Sequence, residues 1–365
     1  MKKLAVIFFF FNAIASLNAQ KQDRNIIIIT TDGFRWQEVF NGIDSAIANN
    51  PEFNEEDSSY LFERYWDANN EVRRKKLLPF LWTTIFEKGQ LFGNRAKGNK
   101  VNNANPYWFS YPGYSEIMTG YADTSINSND YPANPHVSVL EFLNNQRKLK
   151  GKVAAFAAWN AFDRILNEER SGIPVISAFD ETGGTKPTAN EKIINKLLKN
   201  SYKPWHEDEC LDVFTHYAAM EWLKIRKPKV LYISYGETDE WAHAGKYMSY
   251  LEAAHQVDAW IKEIWEYVQT DPVYKDKTTL FITTDHGRGY INKDEWTSHN
   301  NKIAGSDQIW FAVIGPDTPV RGELVNVIQL YQKQFAQTIA NLMGYTYTAS
   351  HPIAEPVRYV FKMKK

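Results

Sequence analysis

The sequence predicts an α/β protein with a mostly parallel central sheet and helices on both faces. Short apolar segments rich in β-branched residues alternate along the chain with segments of helical periodicity. The apolar segments show little polar alternation, which is typical of strands that are covered on both faces of a parallel sheet. Three of them are followed by an aspartate, at the sheet edge where open α/β folds bind ligands.

Each predicted element has a local reason. Gly89 ends a helix that begins near Leu77, Asp271-Pro272 closes the longest helix, and Gly315-Pro316 ends the last strand. The predicted strands are Asn25–Thr31, Lys152–Trp159, Lys229–Tyr235, Thr278–Thr284 and Gln308–Ile314. The predicted helices are Leu77–Lys88, Val137–Arg147, Glu191–Leu198, Leu211–Ile225, Tyr247–Val268 and Val327–Met343. We interpret residues 41–76 as a surface excursion with some helix, and residues 99–105 and 172–187 as irregular segments.

A further short helix is predicted just after Ser110. Pro112 favours a helix start, and the periodic Tyr114, Ile117 and Met118 continue it. Ser110 would then lie where unpaired amide groups and the helix dipole favour an anion. Its side chain is interpreted either as a plain helix cap or as a nucleophile.

The first nineteen residues have the features of a secretory signal. Met1-Lys2-Lys3 is positive, Leu4–Phe11 is apolar but too short to span a membrane, and a small-residue site ends at Ala19. The alternative is an uncleaved amino-terminal anchor. We therefore expect residues 1–19 to be a signal peptide, residues 20–365 to form one catalytic domain, and the product to be periplasmic or secreted.

Charge and cysteine content exclude several classes. A net charge of −1 gives no support for nucleic acid or an anionic membrane as a partner. The single cysteine, Cys210, permits no internal disulfide and no thiolate metal cluster. Any metal must therefore be bound by oxygen and nitrogen atoms. No spanning segment is expected after signal cleavage, and the sequence does not indicate an oligomeric state.

Carboxylates and imidazoles recur near the predicted strand ends. A single aspartate at such a place is often only a cap, but here one is paired directly with a histidine and another is four residues from a histidine on a helical turn. Such donors suit Zn²⁺ or another first-row divalent ion, and two such ions can clamp the oxygens of a phosphoryl displacement. The candidates are Asp32, Asp239, Asp285, His243, His286 and His299, with Ser110 beside them.

In order and spacing these motifs resemble the alkaline phosphatase superfamily, and its nucleotide pyrophosphatase/phosphodiesterase branch looks closest. The resemblance runs from Asn25 to about Gly344 and implies two zinc ions. One would be held by Asp239, His243 and His299, and the other by Asp32, Asp285 and His286, with Ser110 as the nucleophile bridging to the second. That branch usually has threonine where this chain has Ser110, and three residues later an asparagine that contacts a phosphate oxygen, where this chain has Gly113. Because Gly113 removes that contact, the substrate preference of the branch is not carried over.

Further residues are weaker candidates for substrate contact. Trp159 and Asn160 end a predicted strand and resemble the substrate side of the diesterase branch, and Arg164 follows closely. Arg164 or Arg35 could contact phosphate, although a surface salt bridge is the favoured role for both. His351 is the one rival to His299 as the last ligand.

The resemblance implies an exported two-zinc phosphoric ester hydrolase that acts on a small phosphate ester through a phosphoserine. A phosphomonoesterase is the first alternative. A sulfatase is disfavoured because Tyr114 stands where its motif needs arginine, and a phosphoglycerate mutase because 110–239 leaves no room for a second domain. A non-catalytic, ligand-binding member is the alternative from another class.

Overall fold

An eight-stranded sheet forms the centre of the computed structural model, which describes residues 23–55, 57–292 and 294–362. The predicted signal peptide lies outside these residues. The strands are β1 (Asn25–Thr31), β2 (Gln90–Phe92), β3 (Asn99–Asn102), β4 (Val153–Ala157), β5 (Val175–Ser177), β6 (Val230–Tyr235), β7 (Thr278–Thr284), β8 (Gln308–Ile309), β9 (Phe311–Ile314), β10 (Gly322–Glu323) and β11 (Ile328–Tyr331).

The strand order of this sheet is β10-β2-β9-β7-β1-β6-β4-β5. β1 lies between β7 and β6, and both pairings are parallel. β9 runs antiparallel to its two neighbours, β2 and β7. β11, β3 and β8 form a separate three-stranded sheet. The mostly parallel sheet predicted from the sequence is confirmed.

The helices cover both faces of the large sheet. They are α1 (Trp36–Asn41), α2 (Ser45–Ala48), α3 (Ser58–Tyr65), α4 (Asn70–Leu77), α5 (Phe86–Lys88), α6 (Ser110–Thr119), α7 (Val139–Asn144), α8 (Phe162–Ile165), α9 (Glu168–Ser171), α10 (Ala189–Lys199), α11 (Asp212–Arg226), α12 (Glu237–His243), α13 (Tyr247–Thr270) and α14 (Phe335–Leu342). A π-helical turn spans Leu81–Ile85, and 3₁₀ turns span Arg95–Lys97, Glu295–Thr297, Gln332–Gln334 and Arg358–Val360.

β1 shows why the strand sequences lack polar alternation. Ile27 and Ile29 pack into the core on the face covered by α11 and α13. Ile26 and Ile28 point the opposite way, into the core beneath α6, α7 and α14. Because successive side chains enter different cores, every one of these positions is apolar.

Several predicted elements differ from the structure. Val327–Met343 is not one helix, because Ile328–Tyr331 is strand β11 and α14 begins only at Phe335. The segments predicted as irregular contain β3 and β5, and the excursion over 41–76 is largely helical, with Leu61 and Tyr65 buried in the core. Trp310 divides the predicted last strand into β8 and β9, which belong to different sheets.

No helix of the described ranges combines the length and apolar character needed to cross a bilayer.

Candidate metal centre

Two neighbouring strands deliver the first set of candidate ligands. Thr31 of β1 pairs with Thr284 of β7, so the residues that follow them, Asp32 and Asp285, emerge side by side. Oδ1 of Asp32 lies 3.2 Å from Nε2 of His286, and Oδ2 of Asp285 lies 3.4 Å from the same nitrogen. All three side chains are buried. They form a compact group of donors at the carboxyl ends of the strands, where α/β sheets place their ligands.

The second set comes from α12 and a later loop. α12 starts directly after β6, and its 3.6-residue period puts Asp239 and His243 on one face. Nε2 of His243 lies 3.0 Å from Oδ2 of Asp239 and 2.9 Å from Nε2 of His299. The rings of His299 and His286 stack with centroids 3.8 Å apart, so the two sets adjoin. The structure thus brings together all six residues that the sequence singled out.

Backbone contacts orient two of the imidazoles. Nδ1 of His286 lies 2.9 Å from the Gly287 carbonyl oxygen, and Nδ1 of His299 lies 3.3 Å from the Trp108 carbonyl oxygen. A carbonyl only accepts, so each Nδ1 carries a proton, and Nε2 is the nitrogen that faces the cluster and would bind a metal once any proton on it is displaced. This is the tautomer that a metal ligand needs.

Ser110 is the first residue of α6 and lies against the first set. Its Oγ donates to Oδ1 of Asp32 at 3.5 Å and lies 3.3 Å from Nε2 of His286. The serine is buried at the helix start, where amide groups lack intrahelical partners. Ser115, its neighbour along the helix, instead accepts a hydrogen bond from Asn134 at 2.9 Å.

Two glycines permit this close packing. Gly33, in the left-handed region at φ 58°, follows Asp32, and a Cβ there would lie 2.5 Å from Oδ1 of Asp239. Gly113 of α6 faces the Asp285 carbonyl oxygen, which a Cβ would meet at 2.6 Å. A side chain at Gly113 would therefore push the helix that carries Ser110 away from the first set.

The charges of the cluster call for a cation. Burial and neighbouring carboxylates raise the pKa of Asp32 and raise that of Asp285 well above its usual value. Burial alone would lower the pKa of His286, but Asp285 and Asp32 outweigh it and raise that pKa to about 9. Oδ2 of Asp285 is buried without a hydrogen-bond partner among the described residues. Carboxylate and imidazole donors with an unpaired buried oxygen fit a divalent metal, which would replace the protons held there.

Arg288 is a member of the site that sequence reasoning missed. It is fully buried, and its Nη2 donates both to Oδ1 and, at 3.0 Å, to the backbone oxygen of Asp239. Burial would raise the pKa of Asp239, but Arg288 and His243 outweigh it and hold that pKa well below its usual value. Asp239 therefore turns one carboxylate oxygen to Arg288 and the other to His243. No local pattern marks this arginine, since its partner lies 49 residues away along the chain.

Tyr114 is a second missed residue. Its hydroxyl donates to Oδ2 of Asp32 at 2.9 Å, on the oxygen that does not face Ser110. The periodicity of α6 identifies Tyr114 only as a buried position. The tyrosine that argues against a sulfatase motif is thus a direct partner of a candidate metal ligand.

The candidate substrate residues contact other parts of the protein. The side-chain amide of Asn160 donates to Asp208 at 3.0 Å, next to the half-buried Trp159. Arg164 donates to the backbone oxygens of Tyr131 at 2.6 Å and Asn129 at 3.4 Å. Their roles toward a substrate stay predictions.

Arg35 and His351 lie outside the two donor sets. Arg35 is buried in an ion pair with Glu38, with Nε 2.9 Å from Oε2, which favours the salt-bridge interpretation. The ring of His351 stacks on Tyr121, with centroids 5.2 Å apart. His299, and not His351, therefore completes the second set.

Comparison with known proteins gives one family. A family model described as the Metalloenzyme superfamily matches residues 118–345, which is more than half of the chain. No curated protein matches the sequence.

Solved structures with this fold include the alkaline phosphatase PafA, with a TM-score of 0.62 and 10% identity over 93% of this chain and 99% of that chain. A protein in the alkaline phosphatase superfamily from Vibrio parahaemolyticus has a TM-score of 0.54 and 12% identity, over 89% of this chain and 67% of that chain. BT1596, a 2-O GAG sulfatase, has a TM-score of 0.54 and 12% identity, over 93% of this chain and 72% of that chain. These likenesses confirm the alkaline phosphatase-like fold.

Proposed function

Since the chain belongs to the Metalloenzyme superfamily, we propose that it is a metal-dependent phosphoric ester hydrolase that forms a phosphoserine at Ser110. The observation that carries the proposal is the position of Ser110. Its Oγ lies within hydrogen-bond distance of Asp32 and His286, at the start of a helix that adjoins both donor sets. A nucleophile is thereby placed where a phosphate would meet the amide-rich end of α6.

The residues support a two-step displacement. Oγ of Ser110 lies within hydrogen-bond distance of Asp32 and His286, so it can attack phosphorus as its proton passes to water. The bond between phosphorus and the ester oxygen breaks, and the leaving alkoxide takes a proton from water. A water molecule then attacks phosphorus, the phosphorus–Oγ bond breaks, one proton of that water returns to Oγ, and the phosphate product leaves.

Metal in the two sets would supply Lewis-acid stabilisation of the attacking and leaving oxygens and would lower the pKa of the serine hydroxyl. Asp32, Asp285 and His286 would hold one ion, and Asp239, His243 and His299 the other. Mixed carboxylate and imidazole donors favour zinc. Two divalent ions balance three carboxylates and one alkoxide, and the guanidinium of Arg288 adds one positive charge, which suits an anionic substrate.

We favour diesters or nucleotide-like esters over monoesters. A monoester carries an additional negative charge, which a free arginine or lysine would have to meet. Arg164 is the residue best placed in sequence to do so, but its guanidinium donates to backbone oxygens of Asn129 and Tyr131. Arg288 in turn is committed to Asp239. A phosphomonoesterase is the competing activity, and relative rates on the two ester types decide between them.

Export is also part of the proposal. It rests on the charged, apolar and small-residue segments of residues 1–19. We place the enzyme in the periplasm or outside the cell.

Activity measured on p-nitrophenyl phosphate, its bis-ester, a phosphonate ester and a sulfate ester, with added zinc, tests the reaction. We expect turnover of the phosphorus esters, with the bis-ester equal or preferred. A catalytic efficiency about tenfold or more higher on the monoester than on the bis-ester would reject the diester preference. That ratio corresponds to a difference of about 1.4 kcal/mol in transition-state stabilisation. Turnover of the sulfate ester alone, or of none of the four by zinc-loaded protein, would reject the proposal.

Ser110→Ala and Ser115→Ala form a matched pair that tests the nucleophile. Both hydroxyls are buried on α6, but only Ser110 touches the donor sets. We expect Ser110→Ala to lower kcat by about a thousandfold or more and Ser115→Ala to retain most of it. Mass spectrometry after a rapid quench should detect a phosphoryl group on the peptide that contains Ser110.

A further inference from the structure

A basic groove of about 580 Å³ lies at the end of the sheet opposite the metal centre. Six cationic residues line it, Arg24, Arg147, Lys148, Lys150, Lys152 and Lys229, and Arg24 is ion-paired with Asp317. Lys152 directly precedes β4 and Lys229 directly precedes β6. The candidate metal ligands instead follow the carboxyl ends of strands. The groove and the centre are therefore separated by the length of the strands, roughly 20 Å.

The groove concentrates positive charge that the net charge of the whole chain conceals. Asp23 is the carboxylate of its lining, and both oxygens of Asp23 lie 2.8 Å from Nζ of Lys229. Lys148 and Lys150 are exposed, and in the described part of the chain no ion pair engages them. A net charge of −1 for the chain is thus compatible with a strongly basic face.

The chain reaches its amino-terminal segment from this groove. Asp23, two residues before β1, lies in it, and residues 1–22 precede Asp23. Those residues include the apolar run Leu4–Phe11. With an uncleaved anchor, the alternative to a cleaved signal, the chain would enter the fold at its basic face, whereas the cleaved chain would keep only the charge of the groove to attract lipid. Tyr345, which is partly buried, also lines the groove, and a tyrosine is a residue favoured at membrane interfaces.

We infer that the basic groove is a docking surface for the anionic headgroups of a lipid membrane. Clustered lysine and arginine side chains attract the phosphates of such a surface over about a Debye length. Docking in this orientation turns the metal centre away from the lipid, toward water and soluble esters. The inference concerns a different face from the proposed reaction and holds or fails independently of it.

Sedimentation of the chain from Gln20 to Lys365 with lipid vesicles tests the inference. We expect binding to vesicles that contain phosphatidylglycerol, little binding to phosphatidylcholine alone, and release at about 0.5 M salt, where the Debye length is only a few ångströms. Equal binding to both vesicle types would overturn it. So would binding of soluble polyphosphate by a protein that ignores the anionic vesicles.

A charge-reversal pair localises the effect. Lys148→Glu with Lys150→Glu should weaken binding to anionic vesicles by about tenfold or more. The matched control is Lys192→Glu with Lys196→Glu on α10, which changes the net charge equally on two exposed positions outside the groove. The control should bind as the unmodified chain does, and thermal unfolding should show both variants folded. Equal loss in both pairs, or no loss in the groove pair, would contradict a defined docking surface.

Discussion

Arg288 shows how one buried side chain can hold a metal centre together before metal arrives. Three carboxylates, those of Asp32, Asp239 and Asp285, lie close together in this part of the fold and repel one another. Arg288 contacts both the carboxylate and the backbone oxygen of Asp239. Its fixed charge offsets part of that repulsion, and a bound divalent ion would compete with it for the same carboxylate.

We predict that Arg288→Met destabilises the metal-free protein more than the zinc-loaded protein. Removal of one partner of a buried ion pair costs about 3–5 kcal/mol, and zinc would supply much of the lost positive charge. Zinc affinity should rise, because one repelling cation is gone. Thermal unfolding in chelator and in zinc, together with a zinc competition titration, measures both effects.

Arg35→Met is the matched control for Arg288→Met. Arg35 is also a buried arginine in an ion pair, here with Glu38, but neither residue belongs to a donor set. It should lower stability equally with and without zinc. An equal loss for Arg288→Met in the two states, or a fall in zinc affinity, would show instead that Arg288 acts only by orienting Asp239.

At the level of elements, Asp258 joins the longest helix to the π-helical turn. This residue of α13 accepts hydrogen bonds from the amide groups of Phe80 at 2.7 Å and Leu81 at 2.9 Å. Burial raises the pKa of Asp258 to about 7, although the two amide groups act in the opposite direction. The protonated carboxyl is consequently the form that folding favours. Protonated Asp258 stabilises the fold fully below pH 4, which is about the pKa of this group in the unfolded chain. That stabilisation is lost as the pH rises through the folded-state pKa of about 7.

We predict that Asp258→Asn flattens the pH dependence of stability between about pH 4 and 7. The asparagine keeps a carbonyl acceptor but cannot ionise, so the difference in unfolding free energy between the two proteins should change by up to about 4 kcal/mol. Urea unfolding at a series of pH values measures it. Asp44→Asn, which removes a helix-capping carboxylate at a partly exposed site, should leave the slope in place. Parallel curves for Asp258→Asn and the unmodified protein would contradict the prediction.

The elements also show what a sequence can predict. β1, β6 and β7 are predictable because each is a short run rich in β-branched and aromatic residues with little polar alternation, and their ends locate the candidate ligands. The helix predicted over Val327–Met343 is wrong for Ile328–Tyr331, whose exposure alternates along the chain as in a strand with one buried face. Pro79 disfavours a helical conformation at Leu78, so α4 ends at Leu77, and the helix predicted from Leu77 to Lys88 begins at Pro79 and includes the π-helical turn.

Two residues of the site lie beyond the reach of sequence patterns. Tyr114 contacts Asp32, and Arg288 contacts Asp239. Both acquire their roles only through partners distant in sequence, which no local period encodes. Five of the candidate ligands are predictable, because each follows a strand or shares a helical face with another ligand. His299 lies in a loop, and only its place in the order of the motifs indicates it.

For the whole molecule, the two donor sets connect distant parts of the fold. The first unites the ends of β1 and β7, and the second unites α12 with the loop that carries His299. Metal bound in both sets would therefore crosslink the centre of the sheet, and its binding free energy would add to the stability of folding.

We predict that removing metal with a chelator lowers the unfolding temperature and abolishes ester hydrolysis together. Zinc should restore both, with about two equivalents bound per chain by elemental analysis. Asp285→Ala and His243→Ala should each reduce the bound zinc toward about one equivalent, since each belongs to a different set. Less than about one equivalent of any transition metal in protein purified without chelator would count against two metal sites.

The placement of the ligands along the chain also sets when a metal centre can exist during biosynthesis. Asp32 is made early, but its partners Asp285 and His286 follow some 250 residues later, and the second set is complete only at His299. β1 likewise lacks both of its neighbours until β6 and β7 have been made. A ribosome-bound fragment that ends before β7 thus contains neither complete donor set. If the chain crosses a membrane unfolded, as a signal peptide would direct, the metal it acquires is drawn from the compartment of arrival and not from the cytoplasm.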